Sequence, residues 1–448
     1  MQDYRELAVD LVARAKVRGA DAADVYIVEG RSLSVELRLG HIEKLEEAGA
    51  EGLGLRVFKD GATALTYSSD LSPASLERLL EDTLGLAEVT DHDPANGLPP
   101  REFQGTFDGP LDLFDPEVDN LSMERKLDFV REVEEIGLAQ DERINNSNGA
   151  WWSDGIQQVT LANSNGFVGS YRVSSAGFGV SLVAEADGVK QTDAWWSSSR
   201  AFNQLESPEQ IGREAARRTL RKLGSRPVKT QTLPVVFDPL MGADFLKILF
   251  HALNGGSIYR RNSFLIGKLG EQVGTSHLNV VDDATLVRGL ASRPFDAEGV
   301  RSSRSELIQE GRLQHYLCDA YGAARLGVTP TGSAARSFSS SPSVGATNLY
   351  LEPGTTSPTD IIRSIDRGLY CTRLYWVGIN HASGDYSRGA EGIWIENGEL
   401  THPVQEVTIA GNMLEMMKNI EVIGNDLEFR SAIASPTFVV SNMVLSGR

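Results

Sequence analysis

The chain has 448 residues, with 61 acidic against 43 basic side chains and a formal net charge of −18. That length suits two or three domains, each able to bury a sizeable core. The charge disfavours a surface that tracks phosphates, because nucleic-acid affinity rests largely on Lys and Arg.

Residues 4–18 place Leu7, Ala8, Leu11, Val12 and Ala15 at helical spacing, and Gly19 stops the run. Strand-like runs follow at Asp24–Val28, Leu33–Arg38, Gly52–Phe58 and Ala62–Tyr67. Asp60-Gly61 predicts a hairpin turn between the last two, since Gly accepts the positive φ such a turn needs. Ser72-Pro73 opens a helix with Leu76, Leu79, Leu80 and Leu84 on one face; Ser can cap its free amides and Pro fits its first position. Residues 90–120 are rich in Asp, Pro and Gly and read as a connection.

A helix is expected over 122–137, then two hairpins with Asn165-Gly166 and Asp187-Gly188 at their tips. Ser207-Pro208-Glu209-Gln210 is a capping box that starts a helix through Leu220. Its basic tail, Arg217, Arg218, Arg221 and Lys222, is read as offsetting the helix dipole. Leu233-Pro234-Val235-Val236-Phe237 opens a second lobe with turns at Glu310-Gly311 and Asn397-Gly398 and a helix near 412–421, while Ser337–Ser343 is a Ser-rich loop. The expected organisation is a 1–90 N-terminal α+β domain, a 91–120 connecting segment, a 121–228 domain of β-hairpins and helix, and a 229–448 β-rich domain. The fold class is α+β: an N-terminal α/β lobe with a mixed sheet and helices, then a mostly-β lobe.

Metal chemistry needs three or four converging His, Cys or carboxylate ligands. The seven histidines, His41, His92, His251, His277, His315, His381 and His402, include no two within ten residues. Cys318 and Cys371 are far apart, so neither a disulfide framework nor a zinc ribbon is expected. Asp385, Ser387 and Arg388 invite an acid–base, nucleophile and oxyanion reading, but a serine nucleophile needs a base. The other reading is a Gly-bracketed turn in which Asp385 and Arg388 bond backbone or each other. Tyr259-Arg260-Arg261 offers a surface for carboxylates or a partner, or else ordinary ion pairing on a solvated face. Trp151-Trp152 and Trp195-Trp196 each send one ring to either side of a strand, toward core or interface. The N-terminus has no basic segment leading into an apolar one, and no run approaches a membrane span, so a cytoplasmic chain is expected.

The run from Asn380 through Gly384-Asp385-Tyr386-Ser387-Arg388-Gly389 to Gly398 is followed by Thr408-Ile409-Ala410-Gly411-Asn412 and Ile423-Gly424-Asn425-Asp426-Leu427. With Arg218-Thr219-Leu220, Val236-Phe237-Asp238-Pro239 and Ser257–Leu265, these segments resemble the TldD/PmbA (TldD/TldE) metalloproteases, whose members have also been labelled modulators of DNA gyrase. Catalytic members carry a His-Glu-x-x-x-His helix between segments like Phe237-Asp238-Pro239 and Arg260-Arg261. If His251 matches the second histidine, Leu246 and Lys247 stand where the first histidine and the glutamate would be. The cysteine ligand expected after Gly424-Asn425-Asp426 is missing from residues 427–448. The departures match the PmbA/TldE branch.

The resemblance implies a C-terminal lobe that dimerises and a cytoplasmic chain without catalytic or metal-binding residues. It implies pairing with a TldD-type subunit that carries the zinc and cleaves unfolded peptides, as in peptide maturation or antitoxin degradation. A homodimer is the expectation for the chain in isolation. Tyr259, Arg260, Arg261, Asn380, Asp385, Ser387 and Arg388 are the candidate peptide or partner contacts. No nucleic acid and no membrane are expected as partners. Two alternatives stand beside this: a homodimeric metallopeptidase with an unconventional site built from His251, His381 and Asp385, and a peptide-binding protein without protease activity.

Overall fold

The computed structural model describes residues 1–447. The fold is α+β, and its first half is organised by one six-stranded sheet. Strand Ala22–Arg38 lies at its centre, flanked by His41–Lys59 and by Ile144–Asn163. Ala62–Ser68 completes one side; Val168–Ala186 and Val189–Ser199 complete the other. The units expected at 1–90 and 121–228 therefore share a single sheet. Every pairing in it is antiparallel, which corrects the mixed sheet expected from sequence, because hairpins generate antiparallel neighbours without crossover helices.

Period-two alternation explains how both faces of this sheet are buried. Val25, Ile27, Val35 and Leu37 face four helices. Arg5–Val17 and Pro73–Val89 pack at one end, Met123–Leu138 and Pro208–Leu220 at the other. Tyr26 and Val28 point the opposite way and pack with Phe295, Ala297 and Ala334 of the second lobe. The central strand is continuous where two runs were expected. Its apolar pattern is interrupted at Gly30, where a Cβ would sit 2.8 Å from the Ile156 carbonyl oxygen of the neighbouring strand.

Asp60-Gly61, Asp187-Gly188, Glu310-Gly311 and Asn397-Gly398 all adopt left-handed φ at both turn residues, as their sequences predict. Ser207 and Gln210 form the expected reciprocal cap. Ser72 does not cap: its hydroxyl donates to Asp70 instead, at 3.1 Å. Trp152 is fully buried, edge-on to Phe129, while Trp195 lies between the lobes over Arg218 and Arg430. The 91–120 connection threads along the second lobe, with Phe107 and Gly105 donating to the carbonyls of Pro294 and Gly299.

The second lobe holds strands Gln231–Phe237, Arg367–Ile379, Asp385–Glu396, Glu399–Asn412 and Phe438–Ser446. Glu399–Asn412 also pairs with Phe438–Ser446, so the five close into a barrel, with Ile420–Ile423 beside it. A second sheet of short strands centres on Val280–Asp283 and Arg304–Gln309. The helix Pro239–Leu253 runs between them. Phe245, Leu246 and Leu249 enter the same core as Phe237 and Phe438. Asp238 starts this helix by accepting from the Met241 amide at 2.9 Å, with Pro239 at its first position. Among the described residues no helix is long and apolar enough to cross a membrane.

Candidate functional site

The central helix presents Asp244, Lys247 and His251 at spacings of three and four, which place them along one side. Leu246 is buried in the core and Lys247 is exposed. The helix ends at Leu253, where Asn254 accepts from the Gly256 amide at 2.8 Å and starts the turn Gly255–Tyr259.

Opposite His251 stands the tip between strands Arg367–Ile379 and Asp385–Glu396. His381 on this tip packs against His251, with ring centroids 3.8 Å apart and the rings inclined by 40°. Ser257 Oγ lies 3.5 Å from His251 Nε2, and the buried His381 Nδ1 has no hydrogen-bond partner. Burial lowers the pKa of both rings, and His381 and Arg260 lower His251 further, so the pair is held neutral.

The tip is a self-bonded turn. Asn380 Oδ1 accepts from the amides of Ala382 and Ser383 at 3.1 and 3.3 Å, and the Gly384 amide donates to the Asn380 carbonyl at 2.7 Å. Gly384 has φ 81° and lies against Phe264, where a side chain would be both strained and crowded. Asp385 accepts from Ser383 Oγ at 2.7 Å and from Asn412 Nδ2 at 3.2 Å. Both bonds favour the carboxylate and lower its pKa. Asn412 also caps the helix Met413–Lys418 through the Leu414 amide, so one side chain joins tip and helix.

Arg388 is buried. It donates to the Tyr375 carbonyl at 3.0 Å and pairs with Asp244 at 2.8 Å. Asp385 and Arg388 therefore bond other groups rather than each other. Arg388 braces the central helix instead of offering its charge to solvent. Ser387 is exposed, and no histidine or carboxylate is bonded to its hydroxyl among the described residues, so the nucleophile reading has no base. Tyr259 is exposed, edge-on to Tyr321 at 6.2 Å, with the Arg325 guanidinium 5.0 Å from its ring. Arg260 and Arg261 are exposed and form no ion pair with a described residue.

The structure thus gathers His251, His381, Asp244, Arg388 and Arg260, and keeps Asp385 turned to Asn412. Sequence reasoning did not find Asp244 as the partner of Arg388, or Asn412 as the clamp of the tip. The helical spacing of Asp244 and His251, and the position of Asn412 just before a helix, were the available signals.

The sequence matches the PmbA/TldA metallopeptidase domain 1 over residues 23–87, the central domain over 116–223 and the C-terminal domain over 230–447. The chain belongs to the PmbA/TldD family. It is 34% identical to the metalloprotease PmbA of Escherichia coli O157:H7, covering 96% of this chain and 93% of that one. It is 32% identical to the metalloprotease PmbA homolog of Haemophilus influenzae, covering 100% and 96%. A Bacteroides thetaiotaomicron protein, solved as a candidate modulator of DNA gyrase, superimposes with a TM-score of 0.92 at 28% identity over 100% of both chains.

A family zinc ion does not fit the residues present. Leu246 has no donor atom, Lys247 carries a cation, and the Asp244 carboxylate is engaged by Arg388. Among the described residues no three His, Cys, Asp or Glu side chains converge.

Proposed function

We propose that this chain is the non-catalytic, PmbA/TldE-type subunit of a cytoplasmic metalloprotease that cleaves unfolded peptides. In this reading a TldD-type chain supplies the zinc, and the two pair through their C-terminal lobes. The observation that supports it most is the central helix: family domains span the chain, yet Leu246, Lys247 and an Arg388-bound Asp244 occupy the stretch where metal chemistry is expected. The exposed Tyr259, Arg260 and Arg261 and the self-bonded tip at Asn380–Asp385 would then form wall and peptide contacts. Backbone pairing with an extended peptide suits substrates of varied sequence.

A second reading, a homodimeric metallopeptidase, draws on the adjacent His251 and His381. It requires a third ligand from a second copy, because Asp385 is turned to Ser383 and Asn412.

The test measures bound zinc and cleavage of an unfolded peptide by this chain alone and mixed with a TldD-type chain from the same organism. Zinc and chelator-sensitive cleavage in the mixture only is the expected result. Stoichiometric zinc and cleavage by this chain alone would overturn the subunit reading and favour the homodimer.

A further inference from the structure

A cavity of about 220 Å³ lies between the lobes, where Arg218-Thr219-Leu220 meets Val236-Phe237-Asp238-Pro239. Its floor holds Arg218 and Asp238, both buried; its mouth carries the exposed Arg217, Glu428 and Ser431. Trp195 and Tyr370 stand in its walls.

Most of the charges lining it already have partners. Glu214 takes two bonds from Arg217, at 2.7 and 2.6 Å. Arg430 pairs with Glu206 at 2.6 Å and Glu428 at 2.8 Å. Asp426 accepts from the amide and hydroxyl of Thr437. Arg218 reaches Asp193 and Asp238 only at 3.7 and 3.5 Å.

Arg221 has no hydrogen bond or ion pair through its side chain among the described residues, and its Nε and Nη2 are buried without an acceptor. Those two atoms form the edge of a guanidinium that grips a carboxylate with parallel bonds. Burial, and then the like charge of Arg218, lowers the pKa of Arg221; burial raises that of Asp238 despite Arg218. Both shifts disfavour the charged form, as expected where burial is not offset by a close ion pair; Asp238 Oδ2 is likewise buried without a hydrogen-bond partner among the described residues.

We propose that this interlobe cavity binds a small carboxylate of amino-acid size, with Arg221 as its forked partner and Arg218 beside it. A planar carboxylate supplies the two acceptors that the Arg221 fork lacks, and ends an acceptor shortage that burial makes costly. Because the walls come from both lobes, the bound anion ties them together and stabilises the folded chain. This inference does not depend on the peptidase reading.

The test uses the full chain with three probes: N-acetylalanine, its neutral amide and inorganic phosphate. Thermal unfolding and calorimetric titration report binding. N-acetylalanine is expected to raise Tm while the amide does not, and Arg221→Met is expected to weaken the acid's affinity about tenfold or more. Equal responses to acid and amide, a response to phosphate alone, or no response to any probe would each overturn the proposal. So would an unchanged affinity in folded Arg221→Met. Should that variant not fold, the acid–amide comparison on the unaltered chain decides alone.

Discussion

Two clusters of charge join the lobes, and they are built on opposite plans. In the first, Asp24 pairs with Arg336 at 2.8 Å and with Arg56 Nε at 2.8 Å, and Arg56 reaches Glu298 at 3.0 Å. All four side chains are buried. Burial would raise the pKa of Asp24, but Arg336 and Arg56 outweigh it and hold the carboxyl below its ordinary value. In the second, Arg218, Arg221 and Asp238 share one cavity at longer range, and Asp238 is pushed up rather than down. The first cluster holds ion pairs at 2.8–3.0 Å that offset desolvation, although Arg336 Nε and Nη2 stay without acceptors among the described residues. Among those residues the second has no ion pair from Arg221 and none from Arg218 closer than 3.5 Å. One is a lock, and the other has capacity left for a ligand.

The largest expected effect lies at the lock. Arg336→Met strands Asp24 with half its compensation and is expected to cost about 3–5 kcal/mol in urea unfolding. A loss under about 1 kcal/mol would remove the contrast between the clusters. Next comes Arg388→Ala, which deletes the bonds to Asp244 and the Tyr375 carbonyl and is expected to cost about 2 kcal/mol by the same measurement. Without ligand, Arg221→Met is expected to leave stability unchanged or to raise it by about 1 kcal/mol, since it removes a buried cation that has no partner among the described residues. A loss as large as that of Arg336→Met would make the second cluster a lock as well.

The smallest effect is a pH dependence at the adjacent imidazoles of His251 and His381. The fold favours neutral His251 and His381, so their contribution is complete above the ordinary value near 6.5. It falls as pH drops from there through the lowered folded values. Asp282 and Asp296, pushed up to about 6 by burial, act in the opposite sense and gain stability for the fold as pH falls through that value. The comparison is therefore between the unaltered chain and His381→Gln, whose acid loss is expected to be shallower in denaturant unfolding. Identical slopes would mean the pair carries no linkage.

What was legible in the sequence was local. Hairpin turns such as Asp60-Gly61 and the Ser207–Gln210 cap are decided within four residues, and the structure keeps them. Gly30 misled because a close approach between strands looks like a break in a hydrophobic run. The short helices Ala320–Leu326 and Pro358–Arg363 have too few turns to show a period, although Asp319 and Ser357 cap them. The basic tail Arg217, Arg218, Arg221 and Lys222 looked like a dipole complement, but Arg218 and Lys222 are buried against Asp193 and Asp238 or Glu391 of other elements. The candidate site suffered from the same distance. Asp244 and Arg388, or His251 and His381, meet only once the barrel has closed, and no local pattern encodes that.

The first sheet also sets a timetable for synthesis. Strand Ala22–Arg38 finds one neighbour at once, in His41–Lys59, but its other neighbour begins at Ile144. At ribosomal rates, making the chain from residue 39 to 143 takes on the order of 5–20 s. Throughout that interval the hairpin offers an unpaired edge bearing Val25, Ile27, Leu33 and Val35. Nascent chains stalled before Ile144 should therefore be the ones that recruit a holding chaperone, and those stalled well after Ser199, once the last strand of the sheet has been made, should release it.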